Sequence, residues 1–529
     1  MKLNYKRTIL VGFAFFLISA FWQAYDATVP VILTNKFGMS QFWSGVIMAL
    51  DNILAVFMLP LFGALSDKCD GKKRGKRTPF ITIGTIVAAI ALVGLSFVDG
   101  AQLKNISAVS KIDDPAALEI IYDTQAEKEL MTPDGTPFKL VDLAEEGLTK
   151  EVFVSIQSQI PDAEALAEDP SSEKMVTNPL YTDYVVPARQ AYAAEQTAAN
   201  PTPLVLFVIL LLIILVAMAI FRSPAVALMP DVTVKPLRSK ANAVINLMGT
   251  AGGIIVLVLG IVFATSAVIN QMMSYTVYYA VIAGLMLGAL AIFRLTVREK
   301  DWAAQMQQES VALGIEEETQ SNQGKRKLSR GEIRSLLFIL ASIALWYFGY
   351  NAVTSKYSVY AGNILNMDYN TTLLLAQAAA IVAYLPAGMV ASKIGRKKTI
   401  LAGVVMLTGA FAGAAFMRSG SSALLMNVLF ALAGIGWATI NVNSFPMVVE
   451  MCSGGDIGKY TGFYYTASMS AQVLTPMLSG FLMDQMGMTV LFPYAAIFAG
   501  LAFVTMFFVQ HGDAKPEAKK GLEALDAED

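Results

Sequence analysis

Two carboxylates stand in this chain where water is scarce. Asp26 follows Trp22, Gln23 and Tyr25 within one long apolar run, and Asp51 stands beside Asn52 within the next. An acid kept in hydrocarbon is costly, so each is a functional candidate. The chemistry such residues offer is proton exchange, because loss of water favours the neutral acid and a second carboxylate nearby favours it further. If both face one cavity they share or relay a proton, and their charge reports whether the site is loaded. A structural hydrogen bond to a neighbouring helix is the other reading of Asp26, and a solvated gate the other reading of Asp51. The residues around Asp26 suit a polyhydroxylated ligand. Trp22, Gln23, Tyr25 and Asp26 are echoed later in the chain by Trp346, Tyr347, Tyr350 and Asn351. Aromatic faces pack against C–H faces, while amides and carboxylates pair with hydroxyls that are penalised when buried alone. Gln377 and Gln472 belong to the same class of intramembrane polar residue, as do Asn246, Asn441, Asn443, Tyr464 and Tyr465. Each of these is equally suited to joining two helices. Lys356 reads as a snorkelling residue at the membrane interface.

The echo is one part of a longer duplication. Gly63-Ala-Leu-Ser-Asp67, leading into Gly75-Lys-Arg77, returns as Gly388-Met-Val-Ala-Ser392, leading into Gly395-Arg396-Lys-Lys398, at an offset of 325. The same offset lays Tyr25-Asp26-Ala27 on Tyr350-Asn351-Ala352. Beyond the fourth apolar run the offset becomes 219, which lays Asp231 and Lys240 on Glu450 and Lys459. Residues 99–200 supply the excess length of the first half. A parallel repeat of membrane helices is the mark of a transporter built from two pseudo-symmetric halves.

The elements that carry these residues follow from composition. Of 529 residues, 55% are hydrophobic and only 15% charged, which places the chain among membrane proteins. A bilayer-spanning helix takes about 20 apolar residues. Such runs lie near 8–34, 42–65, 79–98, 203–222, 241–265 and 275–295, and again near 335–361, 371–391, 399–417, 422–445, 460–483 and 489–510. The expected fold is therefore an all-α membrane protein of twelve transmembrane helices in two six-helix bundles, with an insert between helices 3 and 4. The first bundle takes 1–98 and 201–297, and the insert takes 99–200. A linker takes 298–333, the second bundle 334–511 and a tail 512–529. Lys68, Lys76, Arg77, Arg222, Arg238, Lys393 and Lys397 crowd connections on one side, which the positive-inside rule makes cytoplasmic together with both termini. The insert is then outside. It holds 19 acidic residues against 7 basic ones, a net of −12. Its aromatic and aliphatic residues suffice for a small, partly helical cap, and Met131 to Phe138 has the turn chemistry of a hairpin. The first apolar run is too long for a cleaved signal peptide. Cys69 and Cys452 offer no metal spacing, and His511 is the only histidine. With no nucleophile elbow or phosphate loop either, the expectation is a protein that is not an enzyme, uses no metal or cofactor and binds no nucleic acid.

The stretch Gly63-Ala-Leu-Ser66-Asp67, continuing through Arg74, Gly75 and Arg77 to Pro79, resembles the loop between helices 2 and 3 of the major facilitator superfamily. The resemblance spans all the predicted helices. It implies alternating access around a midplane cavity, with a cytoplasmic gate that uses Gly63, Asp67, Arg74 and Arg77. In the second copy the gate uses Gly388, Gly395 and Arg396, with Ser392 where the acid would stand. Asp231, Arg238, Lys240, Glu450 and Lys459 complete the expected gate and are placed to pair across it. Within the superfamily, Pro60 to Cys69, Gly75 to Ile81 and Arg222 to Asp231 resemble the sucrose and disaccharide proton symporters near the glycoside-pentoside-hexuronide group. Two departures stand out. Leu59 replaces the acid that melibiose-type sodium symporters carry before the helix 2 proline, and residues 203–221 lack the family's helix 4 acid. The resemblance implies proton-coupled uptake of a disaccharide or related glycoside, expected of a monomer, and the acidic insert, the charged tail and the lack of organelle-targeting signals suit a bacterial inner membrane. Asp26 then carries the proton, with Asp51 as second choice. The alternatives are sodium coupling, export of another small solute, or a membrane sensor whose insert binds the ligand.

Overall fold

A computed structural model describes residues 3–69, 75–234, 237–312, 329–449, 451 and 457–511. The chain is almost wholly helical. Its long helices are α1 Tyr5–Asn35, α2 Gln41–Asp67, α3 Thr78–Asn105, α4 Thr202–Asp231, α5 Arg238–Val262 and α6 Thr276–Thr296. They continue as α7 Arg330–Tyr360, α8 Tyr369–Ile394, α9 Arg396–Ala414, α10 Ala423–Val449, α11 Ile457–Met486 and α12 Leu491–Phe507. Local sequence sets several of the starts. Asn4 and Ser40 accept the Arg7 and Trp43 amides, Asp368 accepts those of Asn370 and Thr371, and Ser329 with Glu332 forms a reciprocal capping box. Prolines 30, 60, 224, 230, 386, 446 and 476 lie inside helices. A bundle tolerates them because neighbouring helices re-satisfy the freed carbonyls.

Among the described residues, ten helices are long and apolar enough to cross a bilayer. The other two expected runs fold as α8 and α11, of 26 and 30 residues. Helix α11 carries Ser468, Ser470, Gln472 and Thr475, polar groups that depress its hydropathy.

Two apolar cores divide these helices. One gathers buried residues of α1 to α6 around Phe21, Leu92, Phe221 and Tyr279; the other gathers α7 to α12 around Trp346, Tyr357, Phe411 and Phe492. The two halves meet through α2 with α11, α5 with α8, and α1 with α7. The large exposed side chains of Phe57, Ile90, Phe97, Val382 and Phe416 belong on such a surface, since hydrocarbon is their solvent.

The insert folds as a cap with a core of its own, including Leu118, Ile121, Leu140, Phe153 and Tyr181, joined by Val268 and Met272 from the turn after α5. Helices Pro115–Gln125 and Val186–Ala199 frame it. The expected hairpin is present as β1 Leu130–Met131 against β2 Pro137–Phe138, with Leu130 opposite Phe138. Helix α3 runs further than its apolar stretch, to Asn105. Asp99 therefore lies inside that helix and not in the cap, and Lys36 donates to both its oxygens at 2.6 and 2.8 Å with both side chains buried. A desolvated pair of this kind holds only with good geometry and further hydrogen bonds. Lys36 adds one to the Met273 carbonyl at 2.7 Å.

Candidate functional site

Between the two cores lies a cavity of about 460 Å³. Helix α1 contributes Trp22, Gln23 and Asp26, α5 contributes Asn246 and Thr250, α7 Tyr350, α8 Gln377 and Tyr384, and α10 Trp437 and Asn441. Tyr350 stacks on Trp437 with ring centres 3.6 Å apart and planes within 3°, forming one broad aromatic floor. Gln377 donates to the Gln23 side-chain carbonyl at 2.5 Å, a bond across the two halves. The lining thus combines a carboxylate, several amides and flat ring faces, the set that recognises hydroxyls and C–H surfaces together.

A second chamber of about 200 Å³ adjoins it and shares Trp22, Asp26 and Arg222 with the first. Its other walls include Asp51, Asn52, Asn351, Thr354, Ser355 and Gln472. Asn52 donates to Asp51 at 2.7 Å. Asp26 and Asp51 therefore face one polar space, as the sequence reading required for a proton relay.

Arg222 was expected among the orienting charges of a connection. The structure places it within α4, with its guanidinium 6.0 Å from the Trp22 ring centre. Phe221 ends the unbroken apolar run, but the helix continues through Pro224 to Asp231 and turns Arg222 inward. The apolar residues Ala225 to Met229 that resume beyond it were the legible signal of that continuation. Trp437 and Tyr384 were also missed, because a lone aromatic in an apolar run looks like core.

Other expected ligand residues stand apart from both chambers. Tyr25 is 3% exposed and packs with Phe21 and Trp22 in the first core. Trp346 is fully buried in the second core. Tyr347 lies edge-on to Trp437, 3.5 Å from the Tyr464 hydroxyl, and so supports the floor from behind. Asn443 donates to the Thr439 carbonyl within its own helix. Lys356 is not a snorkelling residue. It is fully buried and donates to the Gln41 carbonyl at 2.6 Å, while Asp484 of α11 accepts the Gln41 and Phe42 amides at 2.7 and 2.8 Å. Burial between the halves, and not proximity to water, explains that lysine.

These contacts belong to a seal. The described hydrogen bonds joining the halves lie between mid-depth and the cap end, including Tyr369 to Thr265 at 2.9 Å and Ser266 to Asp368 at 2.6 Å. Gly45 approaches the Pro476 carbonyl and Gly480 the Gln41 carbonyl so closely that a side-chain carbon would collide. Toward the termini the halves part, and a groove of about 960 Å³ opens between α2 and α11 along Pro60, Gly63, Met469 and Val473.

At the termini end the repeated motif builds a charged knot. Arg77 donates to Asp67 at 2.5 Å, to Asp231 at 2.8 Å and to the Ser66 hydroxyl. The first amides of α3 are held by Glu299, which accepts from Lys76, Arg77 and Thr78 at 2.6 to 2.8 Å. Asp231 pairs within its own half. Arg238 closes the end of α4 through the Pro230 and Thr233 carbonyls. Gly63 faces Ser223, Gly388 lies within α8, and Gly395, at φ +95°, turns the chain into α9 ahead of buried Arg396. Arg74, Glu450 and the side chains of Lys240 and Lys459 lie outside the described residues.

Comparison with known proteins agrees with this architecture. The pattern of the Major Facilitator Superfamily matches residues 2–109, 191–468 and 369–527. The Uncharacterized protein YqgE of Bacillus subtilis (strain 168) is 27% identical over 195 residues, which is 34% of this chain and 44% of that protein. The chain thus spans less than half the length of the curated relatives it matches. Among solved structures, the inward open conformation of the xylose transporter XylE from E. coli is similar over 99% of each chain, at 15% identity and a TM-score of 0.59. A bacterial homologue of the iron transporter ferroportin in its inward-facing state is similar over 96% of this chain and 100% of its own, at 11% identity and a TM-score of 0.58. At such identities the structures speak to the fold alone. The family pattern covers well over half of the sequence, and the chain belongs to the Major Facilitator Superfamily, a family of membrane transporters and not of enzymes.

Proposed function

We propose that this protein is a secondary active transporter that takes up a disaccharide or related glycoside together with a proton by alternating access. The observation that carries the reading is the central cavity itself, where Asp26 shares one surface with Gln23, Gln377, Asn441 and the Tyr350 and Trp437 stack. The stack offers a flat face for a sugar ring, the amides pair with its hydroxyls, and Asp26 is the group whose charge changes with the proton. Asp51 and Arg222 act with it. An ionised Asp51 balances the guanidinium, and neutralising either acid changes the charge that the two halves must enclose. In this reading α8 and α11 complete twelve spans in two six-helix bundles. The termini and the charged knot are cytoplasmic, the cap is outside, and the structure represents the inward-facing state of a bacterial inner-membrane monomer.

Sodium coupling is the rival with a specific observation in its favour, because Asp26, Asp51, Asn351, Thr354, Ser355 and Gln472, all with oxygen-bearing side chains, line one chamber. Uptake of radiolabelled sucrose and maltose into proteoliposomes, driven by a proton gradient in one arm and a sodium gradient in the other, separates the two. Accumulation only in the proton arm is expected. Accumulation that needs sodium transfers the coupling to that ion, and a cap that binds sugar with no flux makes the protein a sensor.

A further inference from the structure

The cap is fastened to one half of the molecule and touches the other at its tip. On the first-half side the fastening is extensive. Gln190 donates to Asn35 at 2.7 Å, Gln102 to Thr197 at 2.9 Å and Asn105 to the Gln196 carbonyl at 3.2 Å. Gly38, at φ +65°, meets the backbone of Ala194 with no room for a side chain. Both ends of the cap also continue directly into α3 and α4, so the cap moves with the first half.

On the second-half side the contact is small and specific. The hairpin tip between β1 and β2 reaches the turn between α11 and α12, where the Met488 amide donates to the Pro133 carbonyl at 2.7 Å. Gly135 and Gly487 face each other there at φ +95° and +85°. A side-chain carbon on Gly135 would lie 2.7 Å from the Met486 carbonyl oxygen, and one on Gly487 would strike the Asp134 carbonyl. Two facing glycines in left-handed conformation let two backbones meet, and few other residues would. The hairpin is stiffened for this role, since Thr132 donates to Asp134 and accepts the Thr136 amide at 3.0 Å. The Thr132 bond, helped by the Thr136 amide and the charge of Arg418 on the second half, holds the Asp134 carboxyl below its ordinary range, so it stays ionised beside that cation. A second touch is made where the turn Tyr181–Val185 packs on Ala361–Leu365 at the end of α7.

The geometry points to the cap as an outer latch: its hairpin holds the second half against the first when the outer side is closed, and must let go for that side to open. This inference rests on the alternating-access reading above. It adds a bridge between the halves that lies outside the bundle and above the seal made by Gln41, Lys356 and Asp484. Such a latch biases the resting population toward the inward-facing state, because it adds contacts to that state alone.

The test needs no transported substrate. In a background with Cys69 and Cys452 replaced by serine, Ser355→Cys places a reporter in the chamber beneath the seal. Its labelling by a membrane-impermeant maleimide, applied from the cap side of oriented vesicles, reads outward opening. Gly135→Val and Gly487→Val should each raise the labelling rate about tenfold. A Pro133→Cys and Met488→Cys pair, cross-linked by mild oxidation, should bring labelling to the floor, and reduction should restore it. The cross-linked pair guards against a glycine variant that merely misfolds, since it requires the native contact to form. Labelling at one rate with the tip intact, cross-linked or broken would overturn the latch, and would do so whether or not the substrate is a sugar.

Discussion

At the level of single residues, the proposed coupling falls on Asp26, because it is the acid that lines both chambers, a position it shares with Trp22 and Arg222. Replacing it by asparagine keeps the shape and removes the charge change. Asp26→Asn is therefore expected to abolish gradient-driven accumulation while exchange of labelled for unlabelled sugar survives, a pair of rates measurable in the same vesicles. Trp437→Ala should do the opposite. Loss of the stacking face weakens binding in every state, so half-saturation should rise about tenfold, or ~1.4 kcal/mol, with little change in maximal rate. An unchanged half-saturation would remove the aromatic floor from the ligand site. Glu299 carries a structural prediction. Its carboxylate gathers three backbone amides, and Glu299→Ala should cost about 1–3 kcal/mol, seen as a lower unfolding midpoint in detergent. The sequence showed Asp26, Gln23, Tyr350 and Gln377 because polar groups in an apolar run are expensive and conspicuous. It did not show that Tyr25 and Trp346 turn into the cores, since one helical turn decides which face a residue takes and hydropathy is blind to it where all faces are apolar.

At the level of elements, most helices lie within a few residues of the apolar runs, and the larger differences are extensions of α3 and α4. Extension of α4 to Asp231 is what turns Arg222 from a loop cation into a cavity residue, and extension of α3 to Asn105 is what buries Asp99 against Lys36. Both extensions carry charge, and charge is what ends a hydropathy window. The seal between α2 and α11 depends on backbone approach at Gly45 and Gly480, which no pattern of side chains announces. Gly480→Leu is expected to wedge these helices apart and raise labelling of the Ser355→Cys reporter from the cap side, whereas an unaltered rate would place the seal elsewhere. The hairpin has its own pH signature. Asp134 titrates below its ordinary value of 3.8 in the folded cap, so its contribution is fully present above that value and fades as pH falls through the lower one. Amide exchange of the hairpin should accordingly stay protected from neutral pH down to about pH 4 and loosen only below it; loss of protection near pH 6 would contradict the role given to this carboxyl.

At the level of the whole molecule, the duplicated motif and the echo of α1 in α7 gave the two-part plan, and the two separate apolar cores follow it. The cap was legible as an acidic, foldable insertion, but its grip on both halves was not, because that grip uses backbone carbonyls, amides and two glycines. Coupling of proton and sugar movement involves the whole fold and is open to one direct measurement. Proteoliposomes loaded at neutral pH and diluted into acidic buffer, with no sodium present, should accumulate labelled sucrose or maltose against its gradient. Collapse of the proton gradient with an uncoupler should release it, and Asp26→Asn vesicles should only equilibrate. Accumulation that survives the uncoupler, or that Asp26→Asn sustains at the parental level, would contradict the account.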